Sequence, residues 1–230
     1  RRSEGSGRLE EYRVVNTAGT THLAEEAARS GARRFVFMST IAVLGSMDRG
    51  RPLTEEEPPA PTSAYAISKH EAEMELRELA ARTGLSVIAL RPPGVYGPGA
   101  PGNVGRLARL ASRGVPLPLG AVVNQRSLIY VGNLAHAIRT AVTNESHTHS
   151  LFHVADKETI STPDLIRVLC QSLGRRARLP KVPVRLLRLA ARGMGYRREM
   201  DLLCGSFVVS IDRAAADLGW TPPFPQVPAL

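Results

Sequence analysis

Arg34-Phe-Val-Phe-Met-Ser-Thr40 is a short apolar run of the length and composition of one buried strand. A second such run, Leu85 to Arg91, is broken by Pro92-Pro93. Between them lie a loop at Arg49 to Thr62, with four prolines, and a strong helical pattern from Ala64 to Thr83, stopped by Gly84. A strand buried on both faces needs helices above and below it, and alternating strand and helix patterns produce a parallel α/β sheet.

The alternation continues along the chain. Asn16 to Ser30 reads as a helix ended by Gly31, and Gly94 to Gly102, with four glycines and two prolines, as an irregular excursion. Helices follow at about 103–113 and 132–143, with a strand near Ser127 to Tyr130 and another at Leu151 to Ala155. Thr162-Pro163-Asp164 opens a helix that runs to Leu173. Beyond Gly174, prolines and short helices suggest a smaller carboxyl-terminal lobe, and the tail from Pro222 should be loosely ordered.

Composition narrows the partners. No run approaches the ~20 apolar residues of a membrane-spanning helix, and the opening residues lack a signal-peptide core. Cys170 and Cys204 make neither a disulfide framework nor a zinc spacing, so the cytoplasm is the default. His147 and His149 stand in a polar loop without a third ligand, so no metal is expected. The formal charge is +9, and only Lys69, Lys157 and Lys181 of the thirty cations are lysines. The arginines are scattered singly and in pairs along helices, which reads as solvated faces and not as a nucleic-acid surface. A few of them suffice for a phosphorylated small molecule.

Tyr65-Ala-Ile-Ser-Lys69 carries the first chemical signal, because residues four apart share one helix face. An ammonium beside a phenol favours phenolate, and bringing tyrosine from ~10 to ~7 needs about 4 kcal/mol. An exposed Tyr–Lys pair has the same spacing. Ser39 and Thr40, however, place hydroxyls at the carboxyl end of a central strand, where open α/β sheets bind ligands.

Together these blocks resemble the extended short-chain dehydrogenase/reductase family, in particular its NAD-dependent sugar-nucleotide epimerases and dehydratases. The matching pieces are Asn16-Thr-Ala-Gly-Thr20, Ser39 to Gly45, Tyr65-x-x-x-Lys69, Arg91-Pro-Pro-Gly-Val-Tyr-Gly-Pro98, Asn124-Gln-Arg-Ser127 and Leu218-Gly-Trp220. Arg91 to Pro98 and Pro116 to Gly120 look most like the bacterial polysaccharide branch, which acts on UDP-N-acetylhexosamine-type sugars.

The resemblance implies roles for individual residues. Tyr65 would be the general acid or base at the sugar 4-hydroxyl, Lys69 would hold the nicotinamide ribose and lower the tyrosine pKa, and Thr40 would hydrogen-bond the reacting oxygen. Asn16, Ser39, Pro92 and Pro93 would lie against the cofactor, which would be NAD, with NADP left open. Gly94, Asn103, Arg126 and Arg198 would contact the substrate, a guanidinium fork being suited to a diphosphate. Thr40 could also simply end a strand, Asn16 could cap a helix, and Arg126 could be one more surface arginine.

The resemblance implies a doubly wound, Rossmann-like parallel sheet whose amino-terminal half is missing, with a smaller carboxyl-terminal α/β substrate lobe. No strand and glycine-rich turn precede Asn16, so residues 1–98 would be the rest of the NAD(P)-binding domain. Residues 99–230 would mainly form the substrate lobe, with segments near 121–155 returning to the main sheet. Departures from the family pattern are Gly94, where many epimerases have asparagine, and Leu44, in place of a common tyrosine. Ile41 and Ala42 replace the acidic pair of a 4,6-dehydratase. The expected activity is NAD(P)-dependent epimerisation or ketoreduction at C4 of a nucleotide-linked hexose by the complete protein, as a homodimer, with these 230 residues alone expected to be inactive. A small-carbonyl or steroid-type reductase and a non-catalytic binding module are the alternatives.

Overall fold

The computed structural model describes residues 3–45, 50–98, 102–144 and 149–226. Its main sheet is parallel, in the order β1 (Arg34–Met38), β2 (Ser86–Arg91) and β5 (His149–His153). Successive strand residues point to opposite faces, and both faces are covered. Phe37, Val87 and Ala89 pack with Ala24 of α2 (Gly19–Arg29) and with Ala72, Leu76 and Leu79 of α3 (Ala64–Thr83). Ile88, Leu90 and Phe152 pack on the other side with Ala137 and Ala141 of α5 (Val131–Thr143) and with Ala214 of α9 (Asp212–Ala216). The expected parallel α/β sheet, with helices on both faces, is present.

Helix α3 follows its sequence signals. Ser63 accepts a hydrogen bond from the Ala66 N–H at 3.1 Å, and Gly84 closes the helix in the left-handed region at φ 73°. The preceding helix does not start at Asn16. It begins with α1 (Ser3–Tyr12) and passes through a π-helical segment, Arg13–Ala18, into α2. Contacts with α3 hold the earlier turns: Arg13 makes a bidentate ion pair with Glu71, and the Tyr12 ring meets Tyr65 edge-on.

A second layer carries its own core. β3 (Gly94–Tyr96) pairs in parallel with β4 (Arg126–Tyr130), which pairs antiparallel with β6 (Thr159–Ile160). The segment expected to be irregular from Gly94 is therefore a strand for three residues. The cause is its backbone pairing with Leu128, Ile129 and Tyr130 of β4. Buried Asp156 braces the pair, accepting hydrogen bonds from the Tyr96 hydroxyl, the Tyr130 N–H and Asn133 Nδ2 at 2.6, 3.0 and 2.7 Å. Helices α4 (Gly102–Ser112), α6 (Thr162–Ser172), α7 (Val184–Gly193) and α8 (Arg197–Cys204) close over this layer through Leu107, Leu165, Leu169, Leu187 and Cys204.

Three smaller expectations shift. The strand read at Leu151 to Ala155 is β5, two residues earlier, set by its register on β2. The cap of α6 is Ser161, which accepts from the Asp164 N–H, and Thr162 is buried. The tail is anchored as far as Phe224, whose N–H and C=O both bond the Asn133 side chain at 2.9 Å. Residues 227–230 lie outside the described residues.

Candidate active site

The carboxyl end of β1 leads through Ser39 and Thr40 into a single 3₁₀ turn, Ile41–Leu44. The Thr40 hydroxyl accepts the Ala42 N–H at 3.2 Å and caps this turn. Backbone hydrogen bonds from Ser39 N–H to Leu90 C=O and from Ile41 N–H to Pro92 C=O lock the segment beside the end of β2. Chain ends at the top of a parallel sheet leave a crevice there. In this protein the crevice is a cleft of about 440 Å³. Thr40, Pro93, Gly94 and Arg126 all line it, so four of the expected residues meet in one cavity.

Arg126, at the first position of β4, lines that cleft together with Arg106. Its Nη1 donates to the Leu202 and Gly205 carbonyls near the end of α8, and burial pulls its pKa down. Among the described residues no carboxylate lies within ion-pair distance of it, although Glu199 and Asp201 line the same cleft. The buried Asn124 side chain positions this corner, donating to Thr162 Oγ1, Leu203 C=O and Gly205 C=O at 3.0 to 3.2 Å. Asn124 stood in a recognised sequence block, but its role emerges only when α6 and α8 converge on it.

Tyr65 and Lys69 lie on α3 just behind the cleft, which reaches Thr62 and Ser63 at the start of that helix. Tyr65 is 38% exposed, and among the described residues nothing hydrogen-bonds its hydroxyl. Lys69 Nζ donates to the Met38 carbonyl at 2.8 Å and lies 4.6 Å from the centre of the Phe37 ring. The expected lowering of the tyrosine pKa by the lysine is absent from this geometry. Burial, and then Tyr12, hold Tyr65 above its ordinary value, while burial lowers Lys69 against the opposing charge of Glu73. The ammonium is committed instead to the Met38 carbonyl at the strand end.

Asn16 sits within the π turn and caps nothing. Its Nδ2 donates to Ser68 Oγ at 3.1 Å, and Ser68 Oγ in turn donates to the Tyr65 carbonyl. Single π turns inside helices recur at functional positions, and this one brings Asn16 onto the helix of Tyr65 and Lys69. The Ser39 hydroxyl points inward and donates to Glu73 at 2.5 Å. Glu73 also accepts two hydrogen bonds from Arg91 at 2.8 and 2.6 Å. This buried Ser39–Glu73–Arg91 cluster ties α3 to the ends of β1 and β2. Sequence reasoning missed it, although Glu73 stands four residues after Lys69, on the same face. Pro92 is buried beside Pro93. The side chains of Asn103, Arg198 and His149, and His147 entirely, lie outside the described residues.

Residues 4–155 match the NAD dependent epimerase/dehydratase family. The chain belongs to that family. Among curated relatives, this family member is 38% identical to a UDP-glucose 4-epimerase of Vibrio cholerae over 214 residues, covering 92% of this chain and 65% of that protein. It is 30% identical over 167 residues to the N-acetyl-alpha-D-glucosaminyl-diphospho-ditrans,octacis-undecaprenol 4-epimerase of Escherichia coli O157:H7, covering 72% of this chain and 50% of that protein. The fold is shared with the UDP-glucose 4-epimerase of Thermotoga maritima solved with UDP-glucose, at a TM-score of 0.73 and 24% identity, over 92% of this chain and 65% of that one. It is also shared with the UDP-glucuronic acid 4-epimerase of Bacillus cereus solved with NAD, at 0.72 and 20%, over 91% and 62%. The epimerase-family chain thus spans about two thirds of these relatives or less.

The residues present fit one end of a dinucleotide. Lys69 retains N–H donors beyond the one spent on Met38, Tyr65 offers an unbonded hydroxyl, and Pro92-Pro93 form a tight wall at the end of β2. Among the described residues no glycine-rich turn leads from a strand into a helix N-terminus, the usual seat of a pyrophosphate.

Proposed function

We propose that the complete protein performs NAD(P)-dependent oxidation and reduction at C4 of a nucleotide-diphosphate hexose, as a sugar-nucleotide 4-epimerase or 4-ketoreductase of surface polysaccharide synthesis. The observation that carries this reading is the cleft that brings Thr40, Gly94 and Arg126 together beside the start of the helix bearing Tyr65 and Lys69. When bound, the nicotinamide supplies hydride transfer. Tyr65 moves the hydroxyl proton, Thr40 orients the reacting oxygen, and Arg126 takes the diphosphate. Lys69 holds the ribose and, by turning a spare N–H toward the phenol, stabilises phenolate against the burial that now opposes it. Ile41 and Ala42 at the cleft support redox chemistry at C4 over loss of water, since neither side chain transfers a proton. Pro92 and Pro93 pack on the cofactor, while Asn16, Asn103 and Arg198 complete its surroundings and those of the substrate.

A second reading of the substrate rests on the apolar wall of the same cleft, where Leu107, Leu110, Leu128 and Leu165 face the space. A sugar diphosphate on a lipid carrier, as in the name of the Escherichia coli relative, suits that wall. We also propose that the complete protein is a homodimer through its two packed helices, on which Val14, Val15, Leu23 and Met74 are exposed.

The test is steady-state kinetics on UDP-glucose, UDP-N-acetylglucosamine and a polyprenyl-diphosphate N-acetylglucosamine, following sugar product and NADH absorbance. Tyr65→Phe keeps the ring and removes the hydroxyl, so turnover should fall by about 10²–10⁴-fold with little change in substrate affinity. Retention of most of the wild-type turnover would show that Tyr65 and Lys69 are an ordinary helical pair.

A further inference from the structure

The region between Asp164 and Glu199 contains ten lysines and arginines and no acidic residue. The fold gathers part of this charge on one helix, α7. Leu187 and Ala191, four residues apart, are buried against the lobe and fix which way the helix faces. Arg185, Arg188 and Arg192 are all exposed. Between them stand two leucines that the core does not take: Leu186 is 56% and Leu189 68% exposed. Just beyond the helix, Met194 and Tyr196 are 66% and 59% exposed.

Asp201 partly balances the patch, pairing with Arg188 at 3.3 Å and Arg197 at 3.8 Å. Among the described residues no ion pair reaches Arg185 or Arg192. The outer face of α7 is therefore both cationic and apolar, which water alone does not reward.

We propose that this face seats the protein on the surface of an anionic lipid bilayer. A polyanion is the charge complement of the patch, and the bilayer is the polyanion that also buries leucine, methionine and tyrosine. A nucleic acid would use the arginines and leave Leu186 and Leu189 in water. The contact proposed is peripheral, made by one face of α7; among the described residues no helix is long and apolar enough to cross a membrane. It would hold the open side of the carboxyl-terminal layer near lipid, independently of what the cleft binds.

The experiment is flotation of the complete protein with vesicles of phosphatidylcholine alone, and with vesicles of phosphatidylcholine and phosphatidylglycerol in equal parts. Binding is expected only to the mixed vesicles and should weaken as salt rises. Arg185→Ala with Arg192→Ala should reduce it by between about tenfold and thirtyfold. Leu186→Ser with Leu189→Ser, which leaves the charge intact, should reduce it by about tenfold or more. All four side chains are exposed, and unchanged circular dichroism and melting confirm that the variants fold. Equal binding to neutral vesicles, no binding to either, or binding insensitive to the leucines overturns the proposal. Tight binding of a DNA duplex that needs the arginines and not the leucines would overturn it in favour of a nucleic-acid face.

Discussion

Buried charge decides how single residues behave in this protein. Glu73 is buried against Arg91 and Ser39, with His70 Nδ1 3.5 Å from its carboxylate, and a buried ion pair is costly to break and cheap to replace. Glu73→Ala should therefore destabilise the protein by about 3–5 kcal/mol, while Glu73→Leu combined with Arg91→Met should recover much of that loss. Urea unfolding of the three proteins checks it. His153 gives a pH signature. Its imidazole is fully buried, and its pKa is lowered from 6.5 to about 3, first by burial and then by the charge of Arg91. The unfolded chain binds the proton that the folded protein refuses, so stability should fall as pH drops below about 6.5 and level off near 3. The full penalty is on the order of 5 kcal/mol. Melting temperature measured against pH should show this acid limb, and His153→Leu should flatten it.

At the scale of elements, two glycines separate backbone conformation from crowding. Gly84 closes α3 at φ 73° with nothing within 4 Å of a added methyl group, so Gly84→Ala should cost only the left-handed penalty, about 1 kcal/mol. Gly45 ends the 3₁₀ turn at the cleft at φ 82°, and a Cβ there would sit 2.7 Å from the Ala60 carbonyl. Gly45→Ala should cost clearly more than Gly84→Ala and also shift Thr40. Thermal unfolding gives the first difference, and substrate affinity of the complete protein reads the second. The helix ends and strands around these glycines were legible from short-range pattern, because caps and apolar runs act over one turn or one strand. β3 was not, because its ladder partner is β4, more than thirty residues further along the chain, and Asp156, which braces Tyr96, is sixty residues away.

For the whole molecule, the exposed Val14, Val15, Leu23 and Met74 lead to the dimer proposed above. The complete protein should scatter light as a dimer at micromolar concentration, and Leu23→Arg should shift it toward monomer by placing a charge in that contact. A wild-type monomer would remove this part of the proposal. By itself, the sequence determined the α/β class, the extent of α3, the buried strands and the family, since each is written in local periodicity or in short motifs. It also named Thr40, Gly94 and Arg126, which the fold brings to one cleft. Only the tertiary structure decided that Ser39 serves Glu73, that Lys69 reaches Met38 and not Tyr65, and that α7 turns two leucines to solvent. These facts depend on which distant backbone or charge lies within a few ångströms of a side chain, and residue spacing along a chain carries no such information.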